Sequence, residues 1–133
     1  MSTFRKFEEI EAWQKARELA REIYSVSGQT PFAKDFALRD QIRRAAISVM
    51  SNIAEGYGRG GTKEFTQFLS VAKASAVEVM SHLYVALDQR YIDQKTFDKL
   101  AGLADEVSRM IAGLMKYLRS VQIKGSKYKQ TPN

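Results

Sequence analysis

The chain reads SNIAEGYGRGGTKEF from Ser51 to Phe65, a glycine-rich stretch that joins two long helical patterns. Its letters match the Gly-x-Gly-x-x-Gly fingerprint of dinucleotide-binding proteins at Gly56, Gly58 and Gly61. That fingerprint works only between a strand and a helix of a parallel sheet, whereas a helical pattern precedes it here. We therefore interpret the stretch as the end of one helix, a turn whose glycines permit positive φ, and the start of the next helix.

On both sides of this turn, apolar side chains recur every three or four residues, which is the period of a helix that buries one face. Asp93 is a plausible N-cap for the last helix, because its carboxylate can accept bonds from free amides of the first turn. The predicted helices span about residues 8–28, 34–57, 62–90 and 94 to the Gly125–Ser126 pair.

The connections between these helices are short, and short connections make consecutive helices antiparallel neighbours. The predicted fold is therefore all-α, an antiparallel up-down-up-down four-helix bundle. A chain of 133 residues has the usual size of one domain. We expect the bundle to occupy residues 1–123 and residues 124–133 to form a basic, flexible tail.

Composition limits the function classes. The net charge is +6, and half of it comes from three lysines after residue 120, so the bundle itself is only modestly basic. There is no cysteine, which excludes disulfides, thiolate nucleophiles and zinc–thiolate sites. No apolar run reaches the roughly 18 residues that a membrane helix needs, and the first residues lack a signal-peptide core. We expect a cytoplasmic protein without a membrane segment.

Two basic groups are candidates for phosphate contacts with a nucleic acid, one in the second helix and one at the start of the third. Phosphate contacts are independent of base sequence and weaken with salt. The alternative is that these cations pair with nearby acids or lie along the edge of the core. The start of the third helix attracts anions, whether a phosphate or the carboxylate of Glu64. The candidate nucleic-acid-binding residues are Arg39, Arg43, Arg44, Arg59 and Lys63.

The third helix has a second apolar side, opposite the stripe that begins at Phe65. A solvated helix face normally carries charged residues, and a helix that is apolar on two sides usually touches two neighbours. We therefore predict that this side forms an oligomer interface, while a broad core-facing arc with a few stray valines is the alternative. The predicted interface residues are Val71, Ala74, Val77, Ser81 and Val85.

Residues for catalysis or metal binding are scarce. His82 is the single histidine, and Glu78 lies one helical turn earlier, so an i,i+4 contact between them is the expected arrangement. We find no Glu-x-x-His pair of the kind that di-iron bundles use. We expect no enzyme activity, no metal site and no cofactor.

Four segments carry a resemblance to a known family: EAWQKA at 11–16, LRDQIRRA at 38–45, SNIAEGYGR at 51–59 and KEFTQFL at 63–69. Together they resemble the proteins encoded in intervening sequences of 23S ribosomal RNA genes. The resemblance implies an antiparallel four-helix bundle that assembles as a homopentamer. The family is also similar in fold to the accessory variability protein of diversity-generating retroelements, which binds nucleic acid and a reverse transcriptase. That similarity implies RNA or DNA as the partner of the five basic candidates.

Two hypotheses for function follow. The first is a non-enzymatic homo-oligomer that binds RNA or DNA through backbone phosphates. The second is a protein–protein adaptor or structural oligomer without a nucleic-acid role. Shared fold alone does not decide between them, because one fold carries many functions.

Overall fold

The computed structural model describes residues 4–129, with side chains as far as Val121. Within this part of the chain there are four α-helices and no strand. A single 3-10 turn precedes each of the first two helices, at Phe7–Glu9 and Phe32–Lys34. The helices are α1 (Glu11–Ser27), α2 (Phe36–Gly58), α3 (Thr62–Asp88) and α4 (Gln94–Lys129).

Contacts between the helices show that each neighbouring pair runs antiparallel. In each of three pairs, contacts made farther along one helix fall earlier along the other, and Phe4 belongs to the segment before α1. The contacts are Tyr57–Phe4 and Arg43–Ser27 for α1 and α2, Ser48–Ser75 and Gly56–Phe68 for α2 and α3, and Lys15–Glu106 and Lys99–Glu22 for α1 and α4. Because α1 is antiparallel to both α2 and α4, and α2 is antiparallel to α3, the bundle is up-down-up-down, as the sequence predicts.

One continuous apolar core fills the space between the four helices. It is built from the stripes that the sequence shows, with Ile42 of α2, Leu69 of α3 and Ile111 of α4 fully buried. Helices α2 and α3 approach each other closely at Gly56, where a Cβ would lie only 2.5 Å from Cβ of Phe68. No helix among residues 4–129 is both long enough and apolar enough to cross a membrane.

Asp93 caps α4 as predicted, since its Oδ1 accepts a 2.8 Å bond from the amide of Thr96. Asp35 caps α2 in the same way, accepting from the amide of Leu38 at 3.1 Å. The other carboxylate oxygen of Asp35 accepts a 2.9 Å bond from the hydroxyl of Tyr91. This second cap, which the sequence analysis missed, ties the start of α2 to the turn between α3 and α4.

The Asp93 cap makes stability depend on pH. The hydrogen bonds from Thr96 lower the pKa of Asp93 from its ordinary value of 3.8, so the cap stabilises the fold above that value and is lost as the pH falls through the folded-state pKa. We expect Asp93→Ala to lower the urea midpoint at pH 7, and we expect this difference from the wild type to shrink as the pH falls below 3.8.

Asn is as effective a helix cap as Asp, but its side chain does not titrate. At pH 7 the urea midpoint of Asp93→Asn should therefore be near that of the wild type. On acidification the midpoint of Asp93→Asn should fall less than that of the wild type. A midpoint for Asp93→Asn as low as that for Asp93→Ala at pH 7 would contradict this role of the side chain.

Two predicted helix ends differ from the structure. Helix α1 begins at Glu11, because residues 7–9 form a separate 3-10 turn. Helix α4 continues past Gly125 and Ser126 to Lys129, since one glycine costs a helix only about 1 kcal/mol relative to alanine and needs no break. Residues 130–133 and the side chains after Val121 lie outside the described part, so the basic, flexible tail stays a prediction.

Candidate functional site

Arg43 connects α1 to α2. Its Nε donates to Oγ of Ser27 at 2.8 Å, and its Nη2 donates to the main-chain carbonyl of Tyr24 at 3.4 Å. The guanidinium also lies 4.4 Å from the centre of the Tyr24 ring. A cation at the carboxyl end of α1 is favoured by the helix dipole. Arg43 therefore bonds to the neighbouring helix rather than to the acids that the sequence analysis offered as alternative partners.

The other two arginines of α2 differ in their surroundings. Arg39 bonds to Asp40 at 3.0 Å and to the carbonyl of Ala33 at 3.2 Å, and it lies over Phe36. This pairing agrees with the alternative interpretation made from the sequence. Arg44 is exposed and makes no hydrogen bond or ion pair with any other residue that the structure describes.

The second predicted basic group lies at the other end of the bundle. Arg59 bonds to Glu55 at 3.2 Å and lies 5.2 Å from the ring centre of Phe68. Lys63 is exposed at the start of α3. At 1.5 Å per residue, Arg43 and Arg59 are separated by about 24 Å along α2. The structure therefore does not bring the five predicted residues into one site.

The turn between α2 and α3 places a carboxylate of the chain itself beside the start of α3. Gly60 adopts a positive φ of 83°, and the helix restarts at Thr62, which confirms the interpretation of the glycine-rich stretch. The carboxylate of Glu64 folds over the N-cap, with Oε1 at 2.6 Å from the place where a Cβ of Gly61 would stand. The carboxylate of Glu64 therefore lies beside the start of α3 but caps none of its amides, and a cavity of about 300 Å³ remains next to the turn.

A more extensive basic surface lies between α1 and α2. Arg17, Arg21 and Tyr24 are spaced four and three residues apart, so they lie along one side of α1, where Tyr24 contacts Arg43 of α2. Both arginines are exposed, and neither forms a salt bridge with a carboxylate among the side chains of residues 4–121. Together with Arg43 and Arg44 of α2, these residues form what we call the arginine face.

Sequence analysis missed Arg17 and Arg21, although their spacing from Trp13 and Tyr24 was visible. Arg17 lies 5.9 Å from the centre of the Trp13 ring, which resembles the stacking of Arg43 on Tyr24. The missing information was the packing of α1 against α2, because it places the arginines of two separate segments on one surface.

A groove of about 330 Å³ crosses the arginine face. Tyr24 of α1 and Ile47 of α2 contribute apolar walls, and both are unusually exposed for large apolar side chains, at 41% and 42%. The remaining lining residues are Asp40, Arg43 and Arg44. The groove therefore combines an aromatic ring, guanidinium groups and one carboxylate.

The side of α1 that contacts α4 carries mainly acidic side chains. Lys15 lies between two carboxylates, 3.3 Å from Glu18 and 3.6 Å from Glu106 of α4. The hydrogen bond with Glu18 and the charge of Glu106 raise the pKa of Lys15. Glu11 and Glu22 lie on the same side of α1, so positive and negative charges are separated around this helix.

The predicted interface on α3 lies on the outside of the bundle. All five residues of the apolar side are exposed, and Val77 is the most open of the valines at 54%. These side chains are therefore not part of the core of the bundle, and both an interface and a few stray surface valines agree with their exposure. Tyr84 adjoins them and packs on Phe97 of α4 with ring centres 4.8 Å apart.

The remaining polar candidates are ordinary contacts. His82 lies 3.3 Å from Glu78, the i,i+4 arrangement that the sequence predicts. In the described part of the chain no three His, Cys, Asp or Glu side chains are grouped so that they could hold a metal ion.

Comparison with known proteins agrees with the fold. A crystal structure from Bacteroides thetaiotaomicron, described as a protein of unknown function from the S23 ribosomal protein family, superposes with a TM-score of 0.73. It shares 21% identity, and the match covers 80% of this chain and 96% of that one, which shows a common fold. No curated protein matches significantly. Residues 8–113 match the model of the 23S rRNA-intervening sequence proteins, and the chain therefore belongs to that family.

Proposed function

We propose that this protein is a non-enzymatic, self-associating helical bundle that binds RNA or DNA through backbone phosphates at the arginine face. The observation that carries the proposal is the exposure of Arg17, Arg21 and Arg44 on one surface without carboxylate partners among the described residues. Cations that are free of intramolecular partners can neutralise phosphates and release their counterions.

This assignment gives different roles in binding to the residues predicted from the sequence. Arg44 remains a direct phosphate contact, whereas Arg43 is held by Ser27 and Tyr24 and positions the surface. Arg39 and Arg59 already bond to carboxylates, so a phosphate would have to displace those carboxylates. Lys63 is free but lies near the opposite end of α2, where it contributes to the general field of the protein.

Charge reversal tests the proposal. We expect Arg21→Glu combined with Arg44→Glu to abolish most binding of a labelled RNA or DNA strand, measured by fluorescence anisotropy over a series of salt concentrations. The plot of log affinity against log salt has a negative slope, and the loss of two phosphate contacts should reduce the magnitude of that slope by about 2 on duplex DNA.

Lys73→Glu combined with Lys95→Glu is the matched control, because both lysines are exposed on other faces and the change in net charge is the same. Equal affinities for the two double variants would show that only net charge matters and would contradict the site. Parallel RNA and DNA arms distinguish the two nucleic acids.

Self-association is the second part of the proposal, and it is supported by the exposed apolar side of α3. We expect Val77→Lys to lower the mass measured by light scattering while the helical circular dichroism stays unchanged, because burying an unpaired ammonium in an apolar interface is costly. The family resemblance implies five subunits for the wild type. Gln41→Lys, at an exposed polar position of α2, should leave the mass unchanged. An unchanged mass for Val77→Lys would contradict this interface.

The same apolar side supports the second candidate function, an adaptor or structural oligomer. A surface containing Val71, Val77 and Val85 suits a protein partner as well as a second copy of the chain. This candidate predicts an intact oligomer whose affinity for nucleic acid is negligible at low salt. Salt-dependent binding that requires Arg21 and Arg44 would contradict it.

A further inference from the structure

The groove in the arginine face has the size of a site for one small group. Its volume of about 330 Å³ is at the lower end of the range for small-molecule sites, roughly 300–1,000 Å³. The ring of Tyr24 and the side chain of Ile47 are both exposed here. A flat group entering the groove would therefore cover apolar surface that is otherwise in contact with water.

The polar groups in the groove favour a neutral ring over a phosphate. Arg43 already donates to Ser27 and to the carbonyl of Tyr24, so these N–H groups are not free for an anion. Asp40 lines the groove, and its carboxylate, which accepts a bond from Arg39, is an acceptor only and offers a phosphate no hydrogen-bond donor. The same carboxylate can accept hydrogen bonds from the N–H groups of a nucleobase.

Free cations lie beside the groove. Arg44 lines its edge, and Arg21 is three residues before Tyr24 on the same side of α1, where both side chains are exposed. A base in the groove would place the adjacent phosphates near these guanidinium groups. Aromatic stacking combined with backbone cations is the usual way in which proteins bind single-stranded nucleic acid.

We propose that this groove takes one unpaired nucleobase, stacked beside Tyr24 with its N–H groups toward Asp40, so that the protein prefers single-stranded to duplex nucleic acid. This inference rests on the proposed function, because it concerns the same arginine face. Bases in a duplex are stacked and paired, so a duplex makes only the phosphate contacts.

Abasic oligonucleotides separate the two contributions, since they keep the phosphates and lack the bases. The probes are one RNA strand, the DNA strand of the same sequence, its duplex, and the fully abasic DNA strand. We expect the intact strands to bind at least about fivefold more tightly than the abasic strand, in line with the effect of removing one stacked base.

Tyr24→Ala should lower the affinity for intact strands to that for the abasic strand and leave abasic binding unchanged, whereas Tyr24→Phe should bind like the wild type. Alanine preserves the hydrogen bond from Arg43 to the main-chain carbonyl of residue 24 but removes the contact of the guanidinium with the ring, which phenylalanine keeps. Circular dichroism checks the fold of both variants.

Equal, salt-dependent affinities for intact and abasic strands would overturn the base-binding groove and leave the proposed function standing. An unchanged affinity of Tyr24→Ala for intact strands would overturn it as well. Absence of binding to every probe at low salt would overturn both proposals together.

Discussion

Phe32→Ala is expected to lower the free energy of unfolding by about 3–5 kcal/mol, the range measured for removal of a buried phenylalanine. Phe32 lies in the 3-10 turn before α2 and is completely buried. Its ring stacks on Tyr91, with centres 5.3 Å apart. The truncation would leave a cavity where the connection between α1 and α2 meets the turn between α3 and α4.

Urea unfolding followed by circular dichroism measures this loss, and Phe36→Ala is the matched control. Phe36 is four residues away and 63% exposed, and its main contact is with the guanidinium of Arg39. An exposed cation–π contact is worth about 0.5–1 kcal/mol. A similar loss in the two variants would contradict the view that Phe32 anchors this end of the core.

Gly56→Ala is expected to cost about 1–3 kcal/mol, the typical effect of adding a carbon atom to a packed core. The new Cβ would lie 2.5 Å from Cβ of Phe68 and 3.1 Å from Cδ1 of Phe65. Since the Cβ of Phe68 is attached directly to the backbone of α3, rotating a side chain cannot relieve the overlap. Helices α2 and α3 would have to move apart along a contact that both bury.

Gly58→Ala is the control on the same helix. Nothing lies within 4 Å of the position that its Cβ would take, and alanine is favoured over glycine in a helix by about 1 kcal/mol. We therefore expect an unchanged or slightly higher urea midpoint. If Gly56→Ala were as harmless as Gly58→Ala, the close approach of α2 and α3 at Gly56 would not limit the packing.

The candidate site was only partly visible in the sequence. Arg44 was recognised as a cation in a basic segment, but nothing in that segment indicated that Arg43 reaches across to Ser27 and Tyr24 of another helix. Arg17 and Arg21 were overlooked because residues 1–33 have no net charge. Their charges become a surface only after α1 packs against α2 with the acids on its other side.

The sequence by itself determined the number of helices, their approximate ends, the stripes that form the core and the glycine turn at residues 58–61. These features are local, since they depend on residues three or four positions apart and on the backbone freedom of glycine. Only the tertiary structure decided which charged side chains share a surface and which are already bonded. Those properties depend on the register between helices, which is set by the packing of the whole core and by close approaches such as that of Gly56 and Phe68.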